Sequence, residues 1–475
     1  MKKIYILIFS FFSLTVAYSQ TALNVFNITG GGYSTTAVSD YQCLGINPAN
    51  LGWSWDNHMI NLGLFETGLS IYTNALTKYQ VTHDLFNNNV HLDSIGKKKA
   101  ANDFTDTRLW GQGGVIWLGV SVNVPKIGGF AVSIRDRFLW NTVLNYQAAQ
   151  FLFLGYRDPY FDSVVKNPGD TTGYASYLHR KLASIVYAGT KIQFIWYREY
   201  NFGFGRTIID NDLLTLYGGI GIKYLEGYGS LQYLQKGLIV DAYSSLGPEF
   251  NIDYGASSPS QIPGKKYQKV GQGWGFDIGF TLKLLKKLKV AVALDDIGSI
   301  KWNGNVYEAN NVTVWKITTP GISNYNIFTN TQLINTDGLP KETNTWTGLT
   351  SKTVSLPMTF RGGASFQPIP QIEVGVDAVV PLNTKVPGSY DKEVIGLGGR
   401  IDPIKWVQLS VGMVTGADVG ISVPLGITFY PVRNAVVAWQ IGLAIPDVMT
   451  LLKNKDIMTG ITFGFLKLSF GKTTE

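Results

Sequence analysis

The chain has 475 residues and a formal net charge of +7, and 53 of its residues are glycine. Glycine thus makes up about 11%, where about 7% is usual, and charged residues make up only 15%, where about 25% is usual. The high content of apolar and aromatic residues excludes a disordered chain, and the weak, dispersed positive charge does not indicate nucleic-acid binding. This composition is typical of long strands with one apolar and one polar face.

Residues 1–19 have the pattern of a cleaved secretory signal peptide. Two lysines precede an apolar segment from Ile4 to Val16, and Ala17-Tyr18-Ser19 forms a small-x-small cleavage site before Gln20. Loss of the two lysines lowers the formal charge from +7 to +5. No later stretch supplies the roughly 18 uninterrupted apolar residues of a membrane helix, so a membrane location requires a barrel.

Residues 20–57 precede the first predicted strand and show no clear periodicity. We expect them to form a plug, or hatch, inside the lumen of the barrel. Within them, Asn47-Pro48-Ala49 is a candidate hinge for hatch opening, because proline fixes its own φ and restricts the residue before it. The same three residues are equally consistent with a rigid turn that only starts the barrel.

The alternation of apolar and polar residues is clearest between Gly273 and Leu284. Successive side chains of a strand point to opposite faces, and here one face carries only large apolar residues while the other is small or charged. A secreted soluble β-protein also alternates, but Gly, Ala, Ser and Thr with occasional Arg and Asp favour the polar lumen of a transmembrane antiparallel β-barrel. The sequence therefore predicts an all-β barrel, with similar strands at Ile372 to Val380, Val407 to Met413, Ile421 to Phe429 and Val437 to Ile445.

Connection lengths predict the number of strands. Short turns and long connections alternate along the chain, as in outer-membrane barrels, which have short periplasmic turns and longer extracellular loops. This alternation predicts about 14 strands within residues 58–475, and 16 remain an alternative because Gln235-Lys236-Gly237 is a further candidate turn. Long extracellular loop insertions are predicted at residues 74–110, 141–183 and 303–353. Within the loops, Thr142 to Leu154 and Tyr174 to Ile185 are predicted to be helical, since neither alternates strictly.

A network of charged side chains is predicted in the lumen. Asp277 and Asp295 have the inward phase of two neighbouring strands and should lie roughly opposite each other, where they repel unless cations intervene. One hypothesis is a charged latch that holds the hatch, and the other is a structural ladder that fills a narrow barrel. The inward-phase cations expected as partners are Lys283, Lys289, Arg135, Arg137, Arg361 and Arg400.

No catalytic, metal or cofactor site is predicted. The four histidines are scattered without the spacing of metal ligands. Cys43 is the single cysteine, which excludes a disulfide within the chain. The glycine-rich Gly271-Gln272-Gly273-Trp274-Gly275 leads into a strand rather than a helix, so it is not a phosphate-binding loop. The chain is therefore not expected to be an enzyme.

Several short motifs carry a family resemblance. Gly30-Gly31-Gly32-Tyr33-Ser34 and the Asn-Pro-Ala step within Gly45 to Leu51 precede the first strand. With 14 strands behind them, they resemble the FadL-type superfamily of hydrophobic-compound transporters and its relatives in Bacteroidota protein secretion. Two further motifs, Gly273 to Gly279 and Leu294 to Trp302, look closer still to an uncharacterised Bacteroidota family of outer-membrane β-barrels.

The FadL-type resemblance implies a lumen closed by an N-terminal hatch, with hydrophobic ligands entering from outside and leaving sideways through a gap in the wall. We therefore expect a passive channel for hydrophobic small molecules in the outer membrane of a Gram-negative bacterium, surrounded by outer-membrane lipid. The secretion relatives imply the alternative, which is a non-catalytic scaffold of an outer-membrane secretion or assembly complex with protein partners.

Overall fold

The structure is a computed structural model that describes residues 31–54, 57–85, 87, 89–168, 170–236, 239–325, 345–417 and 419–472. The predicted signal peptide, residues 1–19, and the first part of the predicted hatch lie outside these residues.

Fourteen antiparallel strands of the described residues form a closed barrel, which confirms the predicted fold class. They are β1 (His58–Thr73), β2 (Arg108–Val124), β3 (Gly128–Val143), β4 (Lys191–Asp210), β5 (Leu214–Lys236), β6 (Gly271–Leu284), β7 (Leu288–Trp302), β8 (Thr359–Ile369), β9 (Ile372–Pro381), β10 (Val394–Ile404), β11 (Val407–Gly416), β12 (Leu425–Arg433), β13 (Val437–Ile445) and β14 (Ile457–Lys472). Neighbours in the chain are neighbours in the wall. The barrel closes because β1 pairs with both β2 and β14, so that Leu62 lies opposite Val120 and Leu468.

The two faces of the wall differ as the alternation predicts. On β6, Trp274, Phe276 and Phe280 point outward and are 56%, 48% and 43% exposed. Asp277 and Thr281 point inward and are buried. An outward face of this kind meets hydrocarbon in a membrane, whereas the inward face lines a polar lumen.

Among the described residues, no helix combines the length and the hydropathy of a membrane span.

The alternative of 16 barrel strands is wrong, because the strand after β5 lies outside the barrel. Residues Ile239–Leu246 pair with β5, with Lys236 opposite Ile239. They pair on their other edge with Val306–Asn310, which in turn pairs with Thr345–Gly348. These strands and Lys352–Ser355, which pairs with β7, therefore form a sheet beyond the barrel rim.

The two ends of the barrel differ in the length of their connections. At one end, here named the turn end, the described strands are joined by two or three residues, at 125–127, 211–213, 285–287, 370–371, 405–406 and 434–436. The opposite end is named the loop end. Its connections are residues 74–107, 144–190, 237–270, 303–358, 382–393, 417–424 and 446–456, of which 237–270 was not predicted as a long loop.

Loops of the loop end pack into a cap with its own hydrophobic core. Helices α1 (Ser94–Phe104) and α2 (Tyr146–Leu154) meet there, with the rings of Phe104 and Phe153 5.2 Å apart. The cap also contains the one-turn helix α3 (Ala183–Val186) and the short strands Ser163–Asn167, Asp170–Tyr174, Lys181–Leu182, Thr313–Val314 and Lys316–Ile317.

The helical predictions for the loops are correct only in part. Helix α2 begins at Tyr146 rather than Thr142, because β3 extends to Val143 and the side chain of Asn145 caps the helix. The prediction of a helix over Tyr174 to Ile185 is wrong for most of its length. Lys181–Leu182 pairs with a strand from another loop instead, and that pairing satisfies its backbone groups.

Candidate functional site

Residues 31–54, here named the N-terminal segment, lie inside the barrel. The segment contains two 3-10 turns, Asp40–Cys43 and Pro48–Gly52. Ile46, Asn47 and Ala49 have 0% exposure. Because wall side chains surround it and Leu51 contacts glycines close to the turn end, the segment fills the turn-end half of the lumen.

Asn47-Pro48-Ala49 starts the second 3-10 turn and is attached to the wall. Asn47 is extended (φ −164°, ψ 96°), as expected for a residue before proline, and its Oδ1 accepts a hydrogen bond from Ala49 N at 3.2 Å. Its Nδ2 donates to Thr281 Oγ1 of β6 at 2.8 Å. One side chain thus caps the turn and binds it to the barrel, while the hinge role stays a prediction.

Two wall glycines make room for this turn. A Cβ atom at Gly219 of β5 would lie 2.3 Å from Pro48 C and 2.4 Å from Ala49 N. One at Gly279 of β6 would lie 2.0 Å from Asn47 Oδ1. The atoms that a Cβ at Gly219 would meet belong to the backbone, so they cannot move aside as the end of a side chain could.

Asp377 of β9 binds the beginning of the N-terminal segment. Its Oδ2 accepts four hydrogen bonds, from the backbone N and the hydroxyl of both Ser34 and Thr35, at 2.6–3.0 Å. Hydrogen bonds to a charged acceptor are stronger than those between neutral groups. This carboxylate therefore fixes two residues of the segment at once.

Cations of the wall bind the next two residues of the segment. Lys289 Nζ of β7 donates to Thr36 O at 2.9 Å and pairs with Glu373 Oε1 at 3.0 Å. Arg400 of β10 reaches Ala37 O at 3.5 Å and pairs with Glu373 Oε2 at 2.7 Å. Glu373 thus holds two cations whose remaining donors point at backbone carbonyl groups of the segment.

The N-terminal segment also bridges the seam between β1 and β14. On β1, Glu66 accepts hydrogen bonds from the Tyr41 hydroxyl and, at 3.0 Å, from Gln42 Nε2. On β14, Lys467 Nζ lies 2.8 Å from Asp40 Oδ2. Three consecutive residues of the segment therefore contact the first and the last strand of the wall.

Above the segment, toward the loop end, charged wall residues form an ion layer. Lys223 Nζ lies 2.8 Å from Asp277 Oδ1 and also pairs with Asp296. Arg135 Nη2 lies 2.5 Å from Glu199 Oε2. The layer has four cations and four carboxylates, so its formal charges balance. Its members are Arg135, Arg137, Glu199, Lys223, Asp277, Asp295, Asp296 and Arg361.

The predicted network residues are divided between these groups. Arg400 contacts the N-terminal segment, and Lys283 lies six residues from Asp277 along β6, about 20 Å closer to the turn end at roughly 3.3 Å per residue. Within the described part of the chain, the ion pairs of Asp277 and Asp295 go to wall residues. These pairs are those expected of a structural ladder, whereas Arg400 and Lys289 contact the N-terminal segment as a latch would, so both hypotheses stay predictions. The predicted residues inside the ion layer are Arg135, Arg137, Arg361, Asp277 and Asp295.

Several charged residues of the site were not predicted. Glu199, Lys223, Glu373 and Asp377 share the inward phase of their strands. The alternation of Ile372 to Val380 already places Glu373 and Asp377 on the polar face, but they were not assigned to the predicted network, and Glu199 and Lys223 could have been found in the same way. Asp296 could not be found in this way. It follows the inward-facing Asp295 and points inward as well, because the register of β7 against β6 shifts at this point and its φ is +61°.

A cavity of about 60 Å³ lies between the ion layer and the loop end. Its lining combines charged groups, such as Arg137 and Arg361, with apolar ones, such as Ile116 and Leu139. At about 10–15 Å³ per water, it has room for a few waters. At this volume the cavity is too small for a larger ligand.

The loop of residues 382–393 folds over the mouth of the lumen and is held by Asp391. Arg108 Nη2 lies 2.5 Å from Asp391 Oδ2, and Lys191 pairs with the other carboxylate oxygen. Burial raises the pKa of Asp391, but Lys191 and Arg108 outweigh it and hold this pKa below its usual range. Gly388 and Ser389 of the same loop line the 60 Å³ cavity.

Among the described residues, no group of His, Cys, Asp and Glu is arranged to hold a metal ion.

The fold and the filled lumen define a transmembrane β-barrel that is plugged by its own N-terminal segment. The model of the family described as "Family of unknown function (DUF5723)" matches residues 57–433, so the chain belongs to this family. Among curated proteins, none matches the chain.

Solved structures of two toluene transporters and of a FadL homologue are similar over nearly the whole chain. The P. putida toluene transporter TodX is 11% identical, with a TM-score of 0.46 over 95% of this chain and 99% of that one. The Ralstonia pickettii toluene transporter TbuX is 11% identical, with a TM-score of 0.44 over 94% and 98%. A Pseudomonas aeruginosa FadL homologue is 12% identical, with a TM-score of 0.41 over 95% and 99%. The Bacteroidota part of the predicted resemblance stays a prediction.

The contact between Gly219 and the 3-10 turn can be tested with Gly219→Ala. We expect the added methyl group to displace the turn at a cost of about 1–3 kcal/mol, as for other overpacked sites. Amide hydrogen exchange at Ile46, Asn47, Ala49 and Asn50 should then be about tenfold faster or more. Gly362→Ala is the matched control, because a Cβ atom there has its nearest contact at 3.9 Å. Equal exchange in both variants would contradict the assigned contact.

The pairing of Asp391 predicts how the loop over the mouth responds to pH. Because the pKa of Asp391 is lowered in the folded state, its stabilising effect is complete above the unfolded value of about 3.9 and is lost as the pH falls below it. A spin label on Lys385→Cys should stay immobile from pH 8 to 5 and become mobile below about pH 4, as the pH falls through the lowered pKa of the folded state. Asp391→Asn should make the label mobile at every pH, and an immobile label in that variant would disprove the role of the pair. Cys43 is fully buried, so it should not take up the label.

Proposed function

We propose that this protein is a gated outer-membrane channel for hydrophobic small molecules, with the N-terminal segment as its hatch. The observation that carries the proposal is that this segment fills the lumen and is held there by hydrogen bonds and ion pairs. Such contacts are individually worth about 0.5–3 kcal/mol. They can therefore exchange when a ligand or another signal offers competing interactions.

The outer membrane is the location that fits both sequence and fold. The pattern of residues 1–19 directs export, and outer-membrane barrels combine short periplasmic turns with long extracellular loops. The turn end then faces the periplasm, and the cap of loops faces outward. The N-terminal segment accordingly closes the periplasmic half of the lumen.

A hydrophobic ligand has an apolar environment above the ion layer. Leu139, Tyr197, Leu225 and Trp302 belong to one buried cluster on the loop side of the lumen. Passing straight through the ion layer would instead require the ligand to separate paired charges in a low-dielectric interior, which is costly. We therefore propose that the ligand leaves the lumen sideways, above the layer.

The wall next to the cavity supports a lateral exit between β1 and β3. The cavity is lined there by Thr67, Gly114 and Ile116. The pairing of β1 skips Phe65, whose φ is +52°, and the register of β2 against β3 shifts beside Trp117. Two irregularities at one height interrupt the regular pairing of the strands in this part of the wall, which favours their separation here.

The scaffold alternative is favoured by a different observation. Large apolar side chains are exposed on the cap, with Tyr177 at 85% and Leu178 at 89%. Exposed apolar groups of this kind occur at protein-binding surfaces. Copurification in mild detergent distinguishes the two functions, since bound lipid or hydrophobic ligand supports the channel and a stoichiometric protein supports the scaffold.

The hatch can be tested with Asp377→Ala, which removes the acceptor of four hydrogen bonds to Ser34 and Thr35. At about 1.5–3 kcal/mol for each bond to a charged group, the segment should be released from β9. Gly45 of the segment lines the cavity beside the lateral exit, so its release should enlarge that cavity and raise uptake of a hydrophobic naphthalene dye by proteoliposomes about tenfold or more. Asp241→Ala removes a carboxylate outside the lumen and serves as the control. Unchanged uptake at equal barrel content would discard the hatch.

The lateral exit can be tested in the Asp377→Ala background by adding Gly114→Phe. The phenyl ring should fill the cavity and lower dye uptake by about tenfold, which corresponds to about 1.4 kcal/mol of barrier. Ion conductance along the barrel axis should remain unchanged. Gly362→Phe places the same ring where the wall has open space, and an equal drop in dye uptake in this control would argue against the exit.

A further inference from the structure

A recess of about 240 Å³ opens at the turn end of the lumen, separate from the ion layer and from the 60 Å³ cavity. The residues that give it its charge are Lys283, Lys286, Lys287, Lys289, Arg433 and Asp402. Its lining therefore has five cations and one carboxylate. Lys283 and Lys289 lie on the inward face of β6 and β7, so the recess belongs to the lumen and not to the lipid-facing surface.

Within the described part of the chain, carboxylates pair with two of these five cations. Arg433 pairs with Asp402 at 2.9 Å, and Lys289 pairs with Glu373 at 3.0 Å. Across the described residues, these are the ion pairs of the recess. None of the described carboxylates lies at ion-pair distance from Lys283, Lys286 or Lys287, although the three lysines lie within one hairpin. Three like charges held together repel each other, and this cost persists until an anion joins them.

The position of these lysines is fixed by the fold. Lys286 and Lys287 belong to the short turn between β6 and β7, where Lys287 N donates to Leu284 O at 3.0 Å and Gln367 N donates to Lys287 O at 2.9 Å. Lys283 lies opposite Lys289 in the pairing of the two strands. The hairpin therefore keeps the backbone of these lysines around one space before any ligand arrives, which lowers part of the cost of binding.

We propose that this recess binds a multivalent anion of the phosphate class at the turn-end mouth of the barrel. Ammonium groups bind phosphate oxygens as strong point charges. At about 10–15 Å³ per water, 240 Å³ has room for on the order of 15 waters, and hence for two linked phosphate groups. Trp53 of the N-terminal segment lies over Lys289, with 4.4 Å between Nζ and the ring centroid. A bound anion would therefore lie beside the segment.

Calorimetric titration of the full-length barrel with inorganic pyrophosphate tests the proposal. The protein is held in phosphatidylcholine nanodiscs at low ionic strength. We expect saturable binding that weakens as salt is added, and at least about tenfold weaker binding for Lys283→Gln/Lys287→Gln. Lys126→Gln removes an exposed lysine from another turn of the same end, and its affinity should equal that of the unchanged chain. Heat-modifiable gel migration confirms that each variant is folded.

The outcomes separate the sources of the phosphate group. If lipid headgroups supply it, adding phosphatidylglycerol to the nanodiscs lowers the affinity for pyrophosphate. If a soluble compound supplies it, the affinity is the same in both lipids. The proposal is overturned if pyrophosphate does not bind in phosphatidylcholine nanodiscs, or if Lys126→Gln weakens binding as much as the double variant.

Discussion

A barrel of fourteen strands encloses more space than its own inward side chains can fill. With about eight strands the inward side chains meet at the axis, and the interior widens as strands are added. In this protein the extra space is filled by the N-terminal segment and by the ion layer above it. Both carry polar atoms into an interior of low dielectric, where each needs a partner. This requirement accounts for the way in which Asp377, Glu373 and Glu66 each meet donors at hydrogen-bond distance.

Much of the wall could be predicted from sequence, because membrane and lumen impose opposite demands on alternate residues. The strands and the short turns follow from this alternation and from connection length. The partners inside the lumen do not, since residues such as Ser34 and Asp377 are 343 positions apart in the chain. Local rules also fail where a bulge changes the phase, as at Asp296, and where two loops pair with each other, as at Lys181–Leu182.

The wall is higher on one side than on the other. Strands β1 to β7 have 14–23 residues, whereas β8 to β13 have 9–11, which is about the number that a tilted strand needs to cross hydrocarbon. The longer strands therefore continue beyond the membrane and support the cap. The loop of residues 382–393 leaves the low side and leans across the mouth, where Asp391 joins it to Arg108 and Lys191 on the high side.

The contacts of the N-terminal segment across the seam have a consequence for assembly. Asp40 binds Lys467 on β14 and Tyr41 binds Glu66 on β1. Two neighbouring residues near the start of the described chain therefore connect the last strand of the barrel to the first. Pairings this distant in sequence form late, because the whole intervening polypeptide must first be ordered. Closure of the barrel and docking of the N-terminal segment are thereby coupled. A barrel without its docked segment lacks the contacts that bridge β1 and β14.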